Sequence, residues 1–167
     1  MKHHTINLIV GFFFLIAFSV GPFSSSAEAL EIRQLTSPKG IKLWFVKDTN
    51  LPIIQMRFLW RGGAANFDPG LIRFLSTMLD EGAGDLDATT FQTRKEDYGI
   101  KLSFSAEKDS FSGSLSTLSK HKDEAFSLLA LAVNKPRFAD TPLERIRQAL
   151  MAGHRRSASD SGTIASE

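Results

Sequence analysis

The sequence predicts an α+β domain in which a mainly antiparallel sheet packs against helices. Three observations point there. Residues 53–60, 101–106 and 110–118 alternate apolar and polar side chains with the period of a strand. Residues 70–82 and 119–134 carry apolar side chains at helical spacing. The order is strands, helix, helix, hairpin, helix, helix, which makes an α+β layer arrangement. The chain has 167 residues, 43% of them hydrophobic and 23% charged, enough for one domain with a core. A net charge of +2 gives no mark of a nucleic-acid binder. There is no cysteine, which excludes disulfides, thiolate zinc sites, a Cys nucleophile and a lipidated Cys.

The first 29 residues are expected to be a signal peptide. Lys2, His3 and His4 precede the apolar run Leu8–Val20, and Ala27-Glu28-Ala29 follows as an A-x-A cleavage pattern. That run is shorter than the ~20 residues a membrane-spanning helix needs. Cleavage is expected after Ala29, with no stable membrane span left. The body of the protein is then secreted, or periplasmic in a Gram-negative cell. The alternative is an uncleaved anchor.

Residues 30–156 form the expected domain. Ile32–Leu35 is a short strand, and Ser37-Pro38-Lys39-Gly40 is a turn with Pro setting φ and Gly permitting the reversal. Ile41–Lys47 is a strand with apolar residues on both sides, so both faces are expected to be partly covered. Ile53–Trp60 places Ile54, Met56, Phe58 and Trp60 inward against Gln55 and Arg57. The loop Arg61–Gly70 feeds a helix. Its two glycines lack phosphate-loop spacing. In that helix Leu71, Ile72, Leu75, Met78 and Leu79 form an apolar stripe. Arg73, Ser76 and Thr77 stand opposite, and Gly82 is expected as the C-terminal glycine.

Asp87 caps a helix over Ala88–Asp97, closed by Tyr98-Gly99. Lys101–Ala106 and Ser110–Leu118 make a hairpin. Its inward side chains are Leu102, Phe104, Ala106, Phe111, Gly113 and Leu115, and Ser112, Ser114 and Ser116 pave a solvated face. A helix over Ser119–Asn134 is expected to bury Ala125, Phe126, Leu129, Ala132 and Val133. Thr141-Pro142-Leu143-Glu144 reads as a capping box that opens a helix running to about Arg156, with Ile146, Ala149 and Leu150 inward. Residues 157–167 read as a polar tail and are expected to mark the truncation point of a longer product.

The frame Gly70-Leu71-Ile72-Arg73-Phe74-Leu75-Ser76-Thr77-Met78-Leu79 resembles the metal-binding helix of the pitrilysin/insulinase peptidases, which include the mitochondrial processing peptidase. That helix reads roughly G-L-A-H-x-x-E-H-M-L. The resemblance extends in order over "G-I-K-L-W-F-V-K-D", "L-P-I-I-Q-M-R-F-L-W-R-G-G", "N-K-P-R-F" and "E-R-I-R-Q-A-L". It implies a metallopeptidase-like half, of the processing-peptidase type, forming the first part of a first domain.

It also implies where a zinc site would be. The two His positions fall on Arg73 and Thr77 and the catalytic Glu on Ser76. The distal Glu ligand falls on Gly153 and its supporting Glu on Ile146. Arginine cannot give up its proton and repels a dication. Serine cannot act as general base at neutral pH. The expectation is therefore no catalytic residue, no metal ligand and no cofactor, although active family members carry zinc.

Other residues offer little chemistry. His121 and His154 read as surface residues, Asp80 and Glu81 as a soluble helix end, and Arg73–Asp80 as a salt bridge along the helix. No G-x-S-x-G is present. The expected function is that of an exported non-catalytic homologue, pairing with an active zinc-peptidase subunit as a heterodimer and helping to hold substrate peptide. The alternatives are a stand-alone periplasmic binding or structural module, and a truncated product without function.

Overall fold

A computed structural model describes residues 31–159. The expected signal peptide and residues 160–167 of the expected tail lie outside the described residues. Backbone contacts divide the chain into two units, Met1–Thr49 and Asn50–Glu167.

The first unit is a hairpin of β1 (Ile32–Thr36) and β2 (Lys42–Val46). The strands pair antiparallel from Ile32↔Val46 to Thr36↔Lys42. Gly40 takes φ +82°, and its N–H donates to the Ser37 carbonyl at 2.9 Å. The Ser37 hydroxyl accepts from the Ile41 N–H at 3.0 Å and closes the turn. Every residue of both strands is exposed, and Trp44 is 81% exposed. Among the described residues of this unit no layer covers either face of β2, where cover on both was expected. A two-stranded ribbon has no third layer to bury either face.

The second unit holds β3 (Ile53–Arg61), α1 (Pro69–Met78), α2 (Ala88–Asp97), β4 (Lys101–Ala106), β5 (Ser110–Leu118), α3 (Lys122–Asn134) and α4 (Asp140–Ser159). Its sheet is antiparallel in the order β3-β5-β4. Three cross-strand rows form the inner face: Met56–Leu115–Leu102, Phe58–Gly113–Phe104 and Trp60–Phe111–Ala106. Gly113 leaves room there for the Phe58 ring. A Cβ on it would lie 2.3 Å from the Phe58 ring.

Two apolar clusters cover that face. Phe91 of α2, Leu102, Leu115, and Ala125, Leu128 and Ala132 of α3 make one. Ile72 of α1, Leu79 and Phe111 make the other, with Leu75, Phe104 and Ala106 packed against it. Full burial of a side chain such as Phe91 stabilises by about 1.5–3 kcal/mol. This is the α+β arrangement that the sequence predicts.

Caps set the helix starts. The Asp68 side chain accepts from the Leu71 N–H at 2.8 Å, with Pro69 at the first turn of α1. Asp87 accepts from the Thr90 N–H at 2.8 Å. Gly99, at φ +58°, ends α2 as the Ile100 N–H reaches the Lys95 carbonyl at 2.7 Å.

Several details differ from the sequence reading. α1 ends at Met78 with Leu79 as its cap, so Gly82 is not its C-terminal glycine. Gly82 instead takes φ +103° in a tight bend four residues later, where a Cβ would meet the backbone of residues 86–88 at 3.0–3.1 Å. A 3-10 turn over Ser119–His121 precedes α3, whose buried residues are Ala125, Leu128 and Ala132. Phe126 and Val133 are exposed. α4 starts at Asp140, one residue before the expected Thr141 cap, and runs three residues past Arg156. Within it Ile146 is buried and Ala149 is exposed. Among the described residues no helix is long and apolar enough to cross a membrane.

Candidate functional site

The candidate site is the polar side of α1 together with α4, which packs against it. Residues 73 and 77 are one helical turn apart and share a face. Ser76, expected on the polar face, is only 6% exposed, while Leu71 of the expected apolar stripe is 64% exposed. The covered side of α1 is thus rotated toward Ile72, Ser76 and Leu79, because α4 and β4 both pack against this helix. A buried serine needs a partner. The Ser76 hydroxyl donates to the Arg73 carbonyl at 2.7 Å, and the Thr77 hydroxyl donates to the same carbonyl at 3.1 Å. Both hydroxyls fold back on their own helix, as mid-helix Ser and Thr do. Arg73 itself is exposed.

On α4 the two family positions differ in environment. Ile146 is 6% exposed and belongs to the packed side. Gly153 lies two turns further on, and a Cβ built there meets nothing within 4 Å. Room for a longer side chain exists at 153, but the residue provides no donor atom. Among the described residues no three His, Cys, Asp or Glu side chains come together in a way that could hold a metal ion. The residues at 73, 76, 77, 146 and 153 therefore do not fit zinc.

The acidic pair after α1 is structural. Asp80 pairs with Lys95 at 2.8 Å, not with Arg73 as the sequence suggests. The helix stops at Met78, so Asp80 leaves the α1 surface and turns toward α2. Lys95 also reaches the Leu102 carbonyl at 3.4 Å, and the Gln92 amide donates to the Asp80 carbonyl at 2.9 Å. This small network was missed from sequence. Gln92 and Lys95 are three residues apart on one helix face, and that spacing was its only signal. Glu81 pairs with Arg145 and ties the loop after α1 to α4. On α4 the Arg147 guanidinium and the Gln148 amide hold the Glu144 carboxyl below its usual range. His121 stands edge-on to Tyr98, with ring centres 5.2 Å apart, and His154 is exposed on α4.

Two clefts lie away from these positions. One, of about 570 Å³, is bounded by Leu86, Arg94, Leu131, Lys135 and Arg137. The other, of about 410 Å³, lies on the sheet at Arg57, Leu59 and the serines of β4 and β5. Beside α1, strand β4 ends the sheet. Its outer edge pairs with no strand among the described residues.

The fold and sequence have relatives. The chain is 26% identical over 163 residues to a Helicobacter pylori protein described as non-peptidase homolog YmxG. That match covers 96% of this chain and 35% of the relative. A crystal structure of an inactive peptidase M16 domain from Pseudomonas fluorescens superposes with a TM-score of 0.75 at 28% identity, over 82% of this chain and 34% of that one. A Helicobacter pylori protease structure shares the fold, with a TM-score of 0.68 at 16% identity over 81% of this chain and 34% of its own. The chain spans about a third of the length of each. No protein-family model matches it.

Proposed function

We propose that this chain, a non-catalytic homologue of the M16 peptidases, is exported, pairs with a subunit that carries H-x-x-E-H, and helps hold the substrate peptide. One observation carries the reading. The helix pair that would hold zinc is intact, yet its five functional positions carry Arg73, Ser76, Thr77, Ile146 and Gly153, and both hydroxyls are tied to one backbone carbonyl. Such a surface cannot activate water, but it can line a cleft. The open edge of β4 beside α1 supports the holding role. An extended peptide can add to a free strand edge through main-chain hydrogen bonds. The domain of residues 30–156 would be the first part of that subunit's first half.

Co-expression with the H-x-x-E-H homologue of the same cell tests the pairing. The expected result is co-elution as a heterodimer whose peptidase activity exceeds that of the active subunit alone. Separate elution of two folded proteins overturns it. N-terminal sequencing of the exported protein is expected to start at Leu30, which checks the signal-peptide reading.

A further inference from the structure

Helix α1 carries a single charged side chain, Arg73. Its polar neighbours on the helix are already committed. The Ser76 and Thr77 hydroxyls both donate to the Arg73 carbonyl, and Ser76 is buried. Arg73 is exposed, and its guanidinium makes no hydrogen bond or ion pair with a described residue. The carboxylates nearest in the chain are engaged elsewhere. Asp80 pairs with Lys95, Glu81 pairs with Arg145, and the Asp68 side chain caps the helix at the Leu71 N–H. The Arg73 guanidinium is therefore the one side-chain donor of α1 still open to a ligand.

Strand β4, packed beside α1, has the same charge character. Lys101 is its only charged residue, and it makes no ion pair among the described residues. Neither α1 nor β4 contains a carboxylate. Glu107, just past β4, accepts from the Ser105 hydroxyl at 3.0 Å. A peptide added to the outer edge of β4 thus meets cations without counterions. The chemistry of the guanidinium decides what it takes from that peptide. Its planar fork matches a carboxylate through two parallel hydrogen bonds, and bonds between ionised partners are about twice as strong as neutral ones. We infer that Arg73 is a specificity residue, binding a carboxylate of the peptide held along β4, whether an acidic side chain or the free C-terminus. The inference rests on the holding role proposed above and names the class of peptide held.

The test uses the full chain, alone and in complex with the H-x-x-E-H homologue, and reads peptide binding by titration calorimetry. The probes are C-terminally amidated peptides of one neutral, extended sequence. A single Glu is moved along that sequence one position at a time, and each peptide is compared with Gln at the same place. One further peptide keeps Gln and has a free C-terminal carboxylate. The expected result is one position at which Glu binds about tenfold more tightly than Gln. Arg73→Gln should abolish that preference, and Arg73→Lys should keep part of it, since lysine retains the charge without the fork. The preference should shrink at high salt. Tenfold tighter binding of the free-acid peptide, lost in Arg73→Gln, assigns the carboxylate to the peptide's end. Arg73→Gln should leave the binding of the amidated Gln peptides and the co-elution with the homologue unchanged. Peptides that bind the wild type and Arg73→Gln alike, whatever their charge, overturn the role of Arg73 and leave the pairing and the holding role standing. A chain that binds none of the peptides, alone or in complex, overturns the holding role and this inference with it.

Discussion

The hairpin of β1 and β2 and the sheet of β3, β4 and β5 are made from similar strands, yet they end in different surroundings. Ile32, Leu35, Leu43, Trp44, Phe45 and Val46 are all exposed. Phe111 and Leu115, in a strand that alternates them with serines, are buried. β5 has a paired neighbour on each edge and the clusters of α1, α2 and α3 on one face. Among the described residues of its unit, the hairpin has one ladder and no helix. Alternation thus fixes which side chains share a face, and burial follows only where another layer is supplied.

The strongest attack on this contrast is made inside the helical layer. Phe91→Ala removes a fully buried ring from the cluster over β4 and β5 and should cost about 3–5 kcal/mol, read by urea unfolding of the whole chain. A loss below 1 kcal/mol would mean that this layer does not pack as described. Gly63→Ala comes next. A Cβ at 63 would lie 2.1 Å from the Glu107 carbonyl oxygen and 2.7 Å from the Ser110 nitrogen, both backbone atoms. The loop 62–65 is laced to the β4–β5 turn by three hydrogen bonds of 2.8–3.0 Å and cannot move aside freely. The expected loss is about 1–3 kcal/mol, and a neutral result would show that the loop is not held there.

How much of this was readable in the sequence depended on how local the cause was. The element order, the caps at Asp87 and Gly99 and the β4–β5 hairpin follow from residues close together in the chain, and the structure has them. The scaffold frame on α1 was legible because Leu71, Met78 and the entry residues keep their spacing. The burial of Ser76 was not, because the width of a covered helix face depends on what packs against it. The Asp80–Lys95 pair spans fifteen positions and needed the helix to stop at Met78. The empty faces of β2 were misread for the reason the hairpin illustrates: an apolar side chain does not say whether a partner layer follows.

Asp80→Asn probes the junction where helical cover meets the sheet. The pair is partly buried, with side chains 22% and 12% exposed, so it should be worth more than a surface pair and less than a buried one. The expected loss is about 1–2 kcal/mol, with weak salt dependence. The exposed Arg94–Glu124 pair serves as the contrast, since its removal should hardly register.

Acid gives a smaller and more local effect. The Thr90 backbone N–H, then the Thr90 side chain, hold the Asp87 carboxyl below its ordinary value of 3.8. The folded value lies beneath the unfolded one, so the cap stabilises α2 in full above the unfolded value. That contribution is lost as the pH falls through the folded value. Asp87→Asn keeps a capping oxygen without the charge. Its stability should lose less than the wild type between neutral pH and the range below 3.8. Equal acid sensitivity in both proteins would place the titration elsewhere.

The smallest expected effect is the one that tests the contrast most directly. Trp44→Ser removes the largest side chain of the hairpin, and an exposed position should respond within about 0.5 kcal/mol. The same truncation at a covered tryptophan costs about 3–5 kcal/mol. Unfolding of the whole chain therefore separates the two cases by a wide margin. A neutral result keeps β1 and β2 as an uncovered ribbon in the chain alone. Repeating the measurement on the heterodimer then sharpens the point. If Trp44→Ser is silent in the free chain and weakens the complex, the hairpin's missing layer is supplied by the partner. If it is costly in the free chain, another layer covers the hairpin already, and the difference between the two regions disappears.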